Sequence, residues 1–290
     1  MAGKRIGRWT CARRVVQIAV ALLFFVPLIV AGWGIAGFGL GAPEEPVSTP
    51  SDFAWWGSLS SSNLFGVNLL DPLATLQVAA AAKTLAFAGL AWALPVLIVY
   101  GLVRGRAFCG WACPVNLLCE VLDWLRGKLH IKVRDRAVPR RAKVVLAVAV
   151  LVLSAICSAP VFEFVNPVSA VNKAVLFGSF AGVFTLAAIA VSELFWARRV
   201  WCRALCPLGG MYEVLGCVGF ASVKIDHDAC VQCGACQAAC LCDPEILDAA
   251  LAGEADRVAA GDCMLCGKCV DACPHAALRI GIAAPTHPTL

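Results

Sequence analysis

Four long apolar runs occupy the first two thirds of the chain. Val15 to Ala42 holds 28 residues without a charge, where about 20 suffice to cross a hydrocarbon core. A cleaved signal has a shorter apolar stretch of about 7–15 residues, so the run predicts a retained helix. Thr84 to Val103 adds 20 uncharged residues beside Lys83, and Val144 to Phe162 adds 19 between Lys143 and Glu163. A fourth run, Ala174 to Ser192, lies between Lys173 and Glu193. The pattern predicts four transmembrane helices. From about Ala221 the chain turns polar and short-looped.

Charge orients those helices. Residues 1–14 carry five basic residues, Lys4, Arg5, Arg8, Arg13 and Arg14, and 104–143 carry ten, including Arg134, Arg136, Arg140 and Arg141. Arg198, Arg199 and Arg203 follow the fourth run, whereas the opposite loops hold only Lys83 and Lys173. Basic loops stay cytoplasmic, which predicts a multi-pass protein of the bacterial inner membrane with both termini in the cytoplasm. The net charge of +5 reads mainly as this topology signal and not as nucleic-acid binding. The expected divisions are a tail (1–14), a first two-helix unit (15–103), a cytoplasmic loop (104–143), a second two-helix unit (144–197), an amphipathic connection (198–220) and a terminal domain (221–290).

Composition adds a second layer. The chain is 60% hydrophobic and 15% charged, with mean hydropathy +0.80, and it holds 17 cysteines. Disorder is excluded by the apolar content, and a small secreted disulfide scaffold by the length and the uneven cysteines. Two runs, Cys230-x₂-Cys233-x₂-Cys236-x₃-Cys240 and Cys263-x₂-Cys266-x₂-Cys269-x₃-Cys273-Pro274, have the bacterial ferredoxin spacing for [4Fe–4S] clusters, in which the fourth Cys ligates the other cluster. Cys230, Cys233, Cys236 and Cys273 are therefore expected to hold one cluster, and Cys263, Cys266, Cys269 and Cys240 the second. Structural zinc is the competing reading, but it ordinarily pairs two C-x₂-C knuckles across a spacer. Cys242 follows Cys240 closely and competes with it as the ligand.

Two further pairs, Cys109-x₃-Cys113-Pro114 and Cys202-x₃-Cys206-Pro207, follow the second and fourth apolar runs. A shift of 93 residues superposes Arg106 on Arg199, Phe108 on Trp201, and Glu120-Val121-Leu122 on Glu213-Val214-Leu215. Upstream, Asp71-Pro72-Leu73 resembles Asn166-Pro167-Val168. The expected fold class is thus an all-α membrane bundle of four transmembrane helices, built as a tandem two-helix repeat, plus a small α+β two-cluster ferredoxin-like domain. The four thiols are candidates for a third metal or cluster site or for redox-active dithiols; a structural turn with Pro opening the next helix is the plain alternative. Cys11, Cys119, Cys157 and Cys217 read as small apolar residues.

No C-x-x-C-H motif occurs, and His130, His227, His275 and His287 all lie outside the apolar runs, so haem is not expected. No dinucleotide or phosphate-binding motif is evident. Iron–sulfur clusters remain as carriers, and a membrane quinol is the natural partner. Glu163, Asn166 and Asp71, at the outer edges of the runs, are the quinone-site candidates, against a reading as helix caps and interface anchors. Trp55, Trp56, Trp92, Trp111, Trp196 and Trp201 fit an interfacial aromatic belt.

The twin C-x₃-C-P motifs, the four runs and the terminal dicluster pattern together resemble the NapH family of ferredoxin-type membrane proteins. Ser60-Ser61-Ser62-Asn63-Leu64-Phe65, Asp71 to Gln77, Asp123-Trp124-Leu125-Arg126 and Phe162 to Ser169 carry the resemblance beyond the cysteines. The cysteine motifs are shared with NosR, the RdxA/CcoG type and MauN. The resemblance implies a quinol dehydrogenase subunit that works with a periplasmic NapG-like iron–sulfur protein to supply a periplasmic nitrate reductase, directly or through a c-type cytochrome. It also implies two alternatives: an assembly factor of the CcoG type, or an electron-transfer accessory of another periplasmic reductase or dehydrogenase.

Overall fold

The computed structural model describes residues 7–30, 54–84, 87–131, 139, 141–177, 180–258 and 261–282. The end of the first expected span, and Lys4, Arg5, Arg134, Arg136 and Arg140 of the basic segments, lie outside them. The described chain is mostly helical and ends in a compact α+β domain.

Helix α1 (Arg8–Val30) starts inside the expected tail. Thr10, Arg13, Gln17 and Phe24 are buried while Val15, Ile18 and Leu22 are exposed, so one stripe at helical spacing faces the protein and the other faces outward. Among the described residues it is the one helix long and apolar enough to cross a membrane unaided, over Arg8–Val26. The hydropathy pattern predicts four such spans, and the other three are shorter or broken. Helix α2 (Pro72–Ala82) ends at Lys83 with φ 53° and is followed by α3 (Phe87–Val103). Helices α4 (Ala107–Trp111) and α5 (Pro114–Lys128) lead to α6 (Ala142–Cys157). Ser158, at φ 50°, stops α6, and the chain bends by 104° into Val161–Val171. Helices α7 (Pro167–Phe177) and α8 (Phe180–Phe195) follow. At Ser158 hydropathy sums over the break, because Ile156 and Cys157 before it and Ala159 and Val161 after it are apolar.

The region of the apolar runs is not all-helical, contrary to the expected all-α bundle. Strands β1 (Trp55–Gly57), β2 (Ser61–Leu64) and β3 (Val67–Leu70) form an antiparallel sheet in that order. Phe65 and Gly66 turn the second hairpin, both with positive φ (52° and 86°), as a two-residue hairpin turn requires. Gly66 was the one local signal of this turn.

Helices α2 and α7 are repeat-related half-helices. Each opens with Pro at its first position, and Asp71 Oδ1 accepts from the Leu73 N–H just as Asn166 Oδ1 accepts from the Val168 N–H. The apolar runs predict these Asx–Pro turns on the opposite side of the membrane from the C-x₃-C-P motifs. Leu73, Phe162 and Val168 share one buried cluster with Phe108, Cys113, Cys119, Leu208 and Tyr212, because α2 packs back along α3 and α6, and α7 along α8.

Past a π-helical turn (Trp201–Leu205) and α9 (Pro207–Leu215), strands β4 (Ala221–Ile225) and β5 (Leu278–Ile282) pair antiparallel and frame the terminal domain. Between them lie α10 (Ala235–Ala239), α11 (Asp248–Leu251) and α12 (Lys268–Ala272). The two cysteine runs fold alike. Gly234 (φ 71°) and Gly267 (φ 69°) open α10 and α12, and Cys240 and Cys273 close them in extended conformation.

This domain is docked on the first C-x₃-C-P motif. The Trp9 and Thr10 N–H groups donate to the Asp271 carboxylate at 3.2 and 2.8 Å. Gln17 Nε2 donates to the Gly110 carbonyl at 2.9 Å, and Trp111 Nε1 to the Leu265 carbonyl at 3.0 Å. Trp111 therefore joins domains and is not part of an aromatic belt. A Cβ at Gly110 would stand 2.6 Å from the Met264 carbonyl oxygen, so only glycine permits this approach.

Candidate metal centres

The terminal domain holds two thiol-lined cavities. Cys230, Cys233, Cys236 and Cys273 line the first, with Ile225, Leu251 and His275 beside them. Cys240, Cys242, Cys263, Cys266 and Cys269 line the second. The last Cys of each run thus reaches the cavity of the other run, as the two-cluster spacing requires. No three His, Cys, Asp or Glu side chains among the described residues gather closely enough to hold a single ion. Rings of thiols around a void suit a cubane better than tetrahedral zinc, whose Zn–S bonds are about 2.3 Å.

Cys240 and Cys242 both face the second cavity. A hydrogen bond from Cys240 holds the Cys242 thiol down at about 7 and pushes Cys240 up. Backbone symmetry favours Cys240 as ligand, since it ends α10 (φ −61°, ψ 130°) as Cys273 ends α12 (φ −76°, ψ 115°). Cys240→Ser is therefore expected to lose the iron of one cluster, and Cys242→Ser to retain it, by iron analysis of the purified chain.

The four C-x₃-C-P thiols converge. Cys113 sits at the N-cap of α5 and Cys206 at that of α9, each followed by Pro at the first helical position. The Gly209 N–H donates to Cys206 Sγ at 3.4 Å. The expected turn is thus present, and it carries sulfur onto two helix N-termini, where partial positive charge favours a thiolate. Cys113 feels the charges of Cys109, Cys202 and Cys206, so the two repeats bring their pairs into one site. Burial pushes Cys109 up to about 11 and Cys206 up to about 12, and Cys113 well up too. Bare thiols in that condition are inert as redox nucleophiles, whereas a metal removes their protons on ligation. A hydrogen bond from Cys119 draws Cys202 down. Cys119, read from sequence as an apolar residue, belongs to this site. Under the 93-residue shift its place in the second half is taken by Tyr212, which stacks on Phe108 at 5.2 Å.

Two buried cations lie beside these thiols, Arg106 in the field of Cys109, Cys202 and Cys206, and Arg199 in that of Cys202, and others lie nearby in the fold. Arg13, Arg104, Arg106, Lys143 and Arg199 are each at most 1% exposed. Their acids are shared: Glu120 pairs with Arg13 and Arg14, Asp262 with Arg106 and Lys143, and Asp123 with Arg126, Arg198 and Arg199. Arg13 Nε, Arg106 Nε and Arg199 Nη2 lack hydrogen-bond partners. Buried positive charge needs anionic compensation, and thiolate ligation of a cluster supplies it. The residues therefore fit such a group. Arg106 and Arg199, two of the basic residues read as a topology signal, also contribute to the site.

The quinone-site candidates also come together. Asn166 Nδ2 donates to Glu163 Oε2 at 3.0 Å, and Ser169 Oγ donates to Glu163 Oε1. Lys173 Nζ donates to the Glu163 carbonyl at 2.7 Å and lies 3.8 Å from Oε1. Asp71 is buried, and burial raises it to about 7, with the Glu163 charge adding. Tyr212 feels Asp71 on one side and Cys109 and Cys113 on the other. Asp71 and Asn166 do cap helices, as the plain reading has it, and Asp71 also stands next to the thiol site.

Comparison with known proteins agrees with this division. A family described as a 4Fe-4S binding domain matches residues 85–132 and 178–221, the two C-x₃-C-P segments, and a 4Fe-4S dicluster domain matches 222–274. Ferredoxin-type protein NapH of Escherichia coli is 35% identical over 221 residues, 75% of this chain and 76% of its own length. The methylamine utilization ferredoxin-type protein MauN of Methylorubrum extorquens is 33% identical over 93% of this chain and 88% of its own. MauN of Paracoccus denitrificans is 35% identical over 88% and 84%. No solved structure matches. With both cysteine layers matched and relatives covered over three quarters or more of their length, the chain belongs to the family of ferredoxin-type iron–sulfur electron-transfer proteins that includes NapH and MauN.

Proposed function

We propose that the chain is a multi-pass inner-membrane subunit of a quinol dehydrogenase, drawing electrons from membrane quinol toward a periplasmic nitrate reductase through a NapG-like iron–sulfur partner and a c-type cytochrome. The MauN relatives, equally similar, keep methylamine utilisation as the second setting. One observation carries the reading. A single buried line runs from the second ferredoxin cavity through Cys109, which packs against both cores, to the converged thiols and on through Phe108 and Tyr212 to Asp71.

Placement in a membrane rests on apolar faces left outside. On α6, Val145, Val148, Val152 and Ile156 are each more than half exposed at helical spacing, and α3 presents Ile98, Val99 and Leu102 in the same way. Contiguous exposed apolar surface of this kind is costly in water and matches lipid. At about 1.5 Å per residue, α3, α6 and α8 are roughly 24–26 Å long, and the breaks at their ends supply the rest of a bilayer core of about 30 Å.

When bound, the clusters supply one-electron carriers at low potential. The chain's own groups do the remainder. Eight ferredoxin cysteines and the four C-x₃-C-P thiols hold the carriers, Asp71 accepts a quinol proton, and Glu163, held by Asn166 and Ser169, sets the charge facing it.

The test is quinol-dependent reduction. In proteoliposomes containing the full chain and its iron–sulfur partner, added menaquinol or ubiquinol is expected to produce reduced-cluster signals by electron paramagnetic resonance. No reduction by either quinol, together with metal loss from the partner enzyme on deletion of this chain, would assign it to assembly instead.

A further inference from the structure

Arg106 lies where the two cysteine layers meet. It is 1% exposed and opens α4, three residues before Cys109. Arg106 Nη1 donates to the Asp262 carbonyl at 3.0 Å and pairs with Asp262 Oδ1 at 2.5 Å. Asp262 immediately precedes Cys263, which faces the second ferredoxin cavity. Arg106 Nη2 donates to the Cys202 carbonyl at 2.7 Å, so the other arm of the same guanidinium holds a membrane-edge cysteine from the second repeat. Cys109, Cys202 and Cys242 all lie within its field, while Nε has no hydrogen-bond partner.

Its repeat counterpart provides an internal control. Arg199 is equally buried, but it donates to Asn116 Oδ1 at 2.6 Å and to Asp123 Oδ2 at 3.0 Å. The thiols in its field are Cys119 and Cys202. Each arginine thus braces the opposite repeat, and only Arg106 also touches the ferredoxin domain.

A guanidinium cannot shed its proton in a protein, so this charge is permanent, and in a low-dielectric site it acts strongly on any added electron. We propose that Arg106 is the electrostatic link between the second ferredoxin cluster and the membrane-edge centre, favouring an electron on either and marking Cys109 and Cys242 as the crossing point between them. In the step, one centre loses one electron and the other gains it, with no proton transferred. The proposal rests on the reading of the C-x₃-C-P thiols as ligands of a third centre.

The experiment is a redox titration of the purified full-length chain followed by electron paramagnetic resonance. Iron content and signal count in the wild type are read first; two centres instead of three would overturn the third-centre reading and the proposal with it. With three centres present, Arg106→Gln is expected to disfavour reduction of two of them by about tenfold each, about 59 mV for a one-electron couple. Arg199→Gln is expected to move the membrane-edge centre alone. Arg106→Lys, which keeps the charge but loses the fork, should stay near wild type, whereas a purely structural role would make it as damaging as Gln. If Arg106→Gln fails to fold, Asp262→Asn removes the opposing charge and is expected to shift the same two signals upward. Movement of neither signal, or of only one, in these Arg106 and Asp262 variants overturns the proposal with the third centre intact.

Discussion

Replacing Cys109 and Cys202 together by alanine is expected to remove about a third of the iron bound per chain, leaving both ferredoxin-type signals in place. The expectation follows from convergence. The two residues lie 93 positions apart, yet each is electrostatically coupled to the other and to Cys113 and Cys206, with the buried guanidiniums of Arg106 and Arg199 in the same field. Removing two of four ligands leaves the remaining thiols too few for a cubane. The buried cations then lose their compensation, so the thermal midpoint of the loaded chain should fall as well, in the direction expected for uncompensated buried charge. Cys11→Ala and Cys157→Ala, at exposed thiols, serve as controls and should leave both readouts unchanged. Iron per chain equal to wild type in the double variant would reduce the C-x₃-C-P motifs to helix-opening turns.

Asp71→Asn is expected to lower quinol-dependent cluster reduction by about 10²–10⁴-fold, the usual contribution of a positioned base. The substitution is mild structurally. Asn166 already caps α7 from the equivalent place in the second repeat, so the introduced amide would keep the bond to the Leu73 N–H. Burial raises the Asp71 carboxyl to about 7, and a base must be deprotonated to accept. The wild-type rate should therefore rise with pH through about 7, and the variant should lack that limb. Stability gives a second readout. Since the folded carboxyl holds its proton to higher pH than the unfolded one at 3.8, the folded state binds more protons between about 4 and 7. Stability must then fall as pH rises across that window, and Asp71→Asn should flatten the slope. A variant that flattens the stability slope while keeping the full quinol rate would leave Asp71 as a cap alone.

Much of the chemistry is legible in the sequence because it is local. A C-x₂-C-x₂-C-x₃-C run must bend around something small, and Gly234 and Gly267 stand where the bend needs them. The crossing of Cys240 and Cys273 to each other's cavities follows from two copies of one spacing. The 93-residue repeat is likewise visible, down to Arg106 and Arg199. Less is legible in the membrane unit. Hydropathy marks the apolar runs but not the left-handed turn at Ser158 that cuts the third, nor the strands at 55–70, whose pairing depends on a register that no single segment contains.

The division has a physical cause. Which atoms can bind metal, how closely they follow one another, and which stretches avoid water are all properties of neighbours along the chain, and the sequence settles them alone. What the basic residues do is settled only by the fold. Arg13 and Glu120 meet across 107 positions, Arg106 and Asp262 across 156, and Lys143 and Asp262 across 119. A lysine or arginine beside an apolar run carries the same local signature whether it faces lipid headgroups or turns inward to a thiol site. The choice is made by whether an anion waits inside, and here Glu120 and Asp262 are brought to these cations only by the tertiary fold.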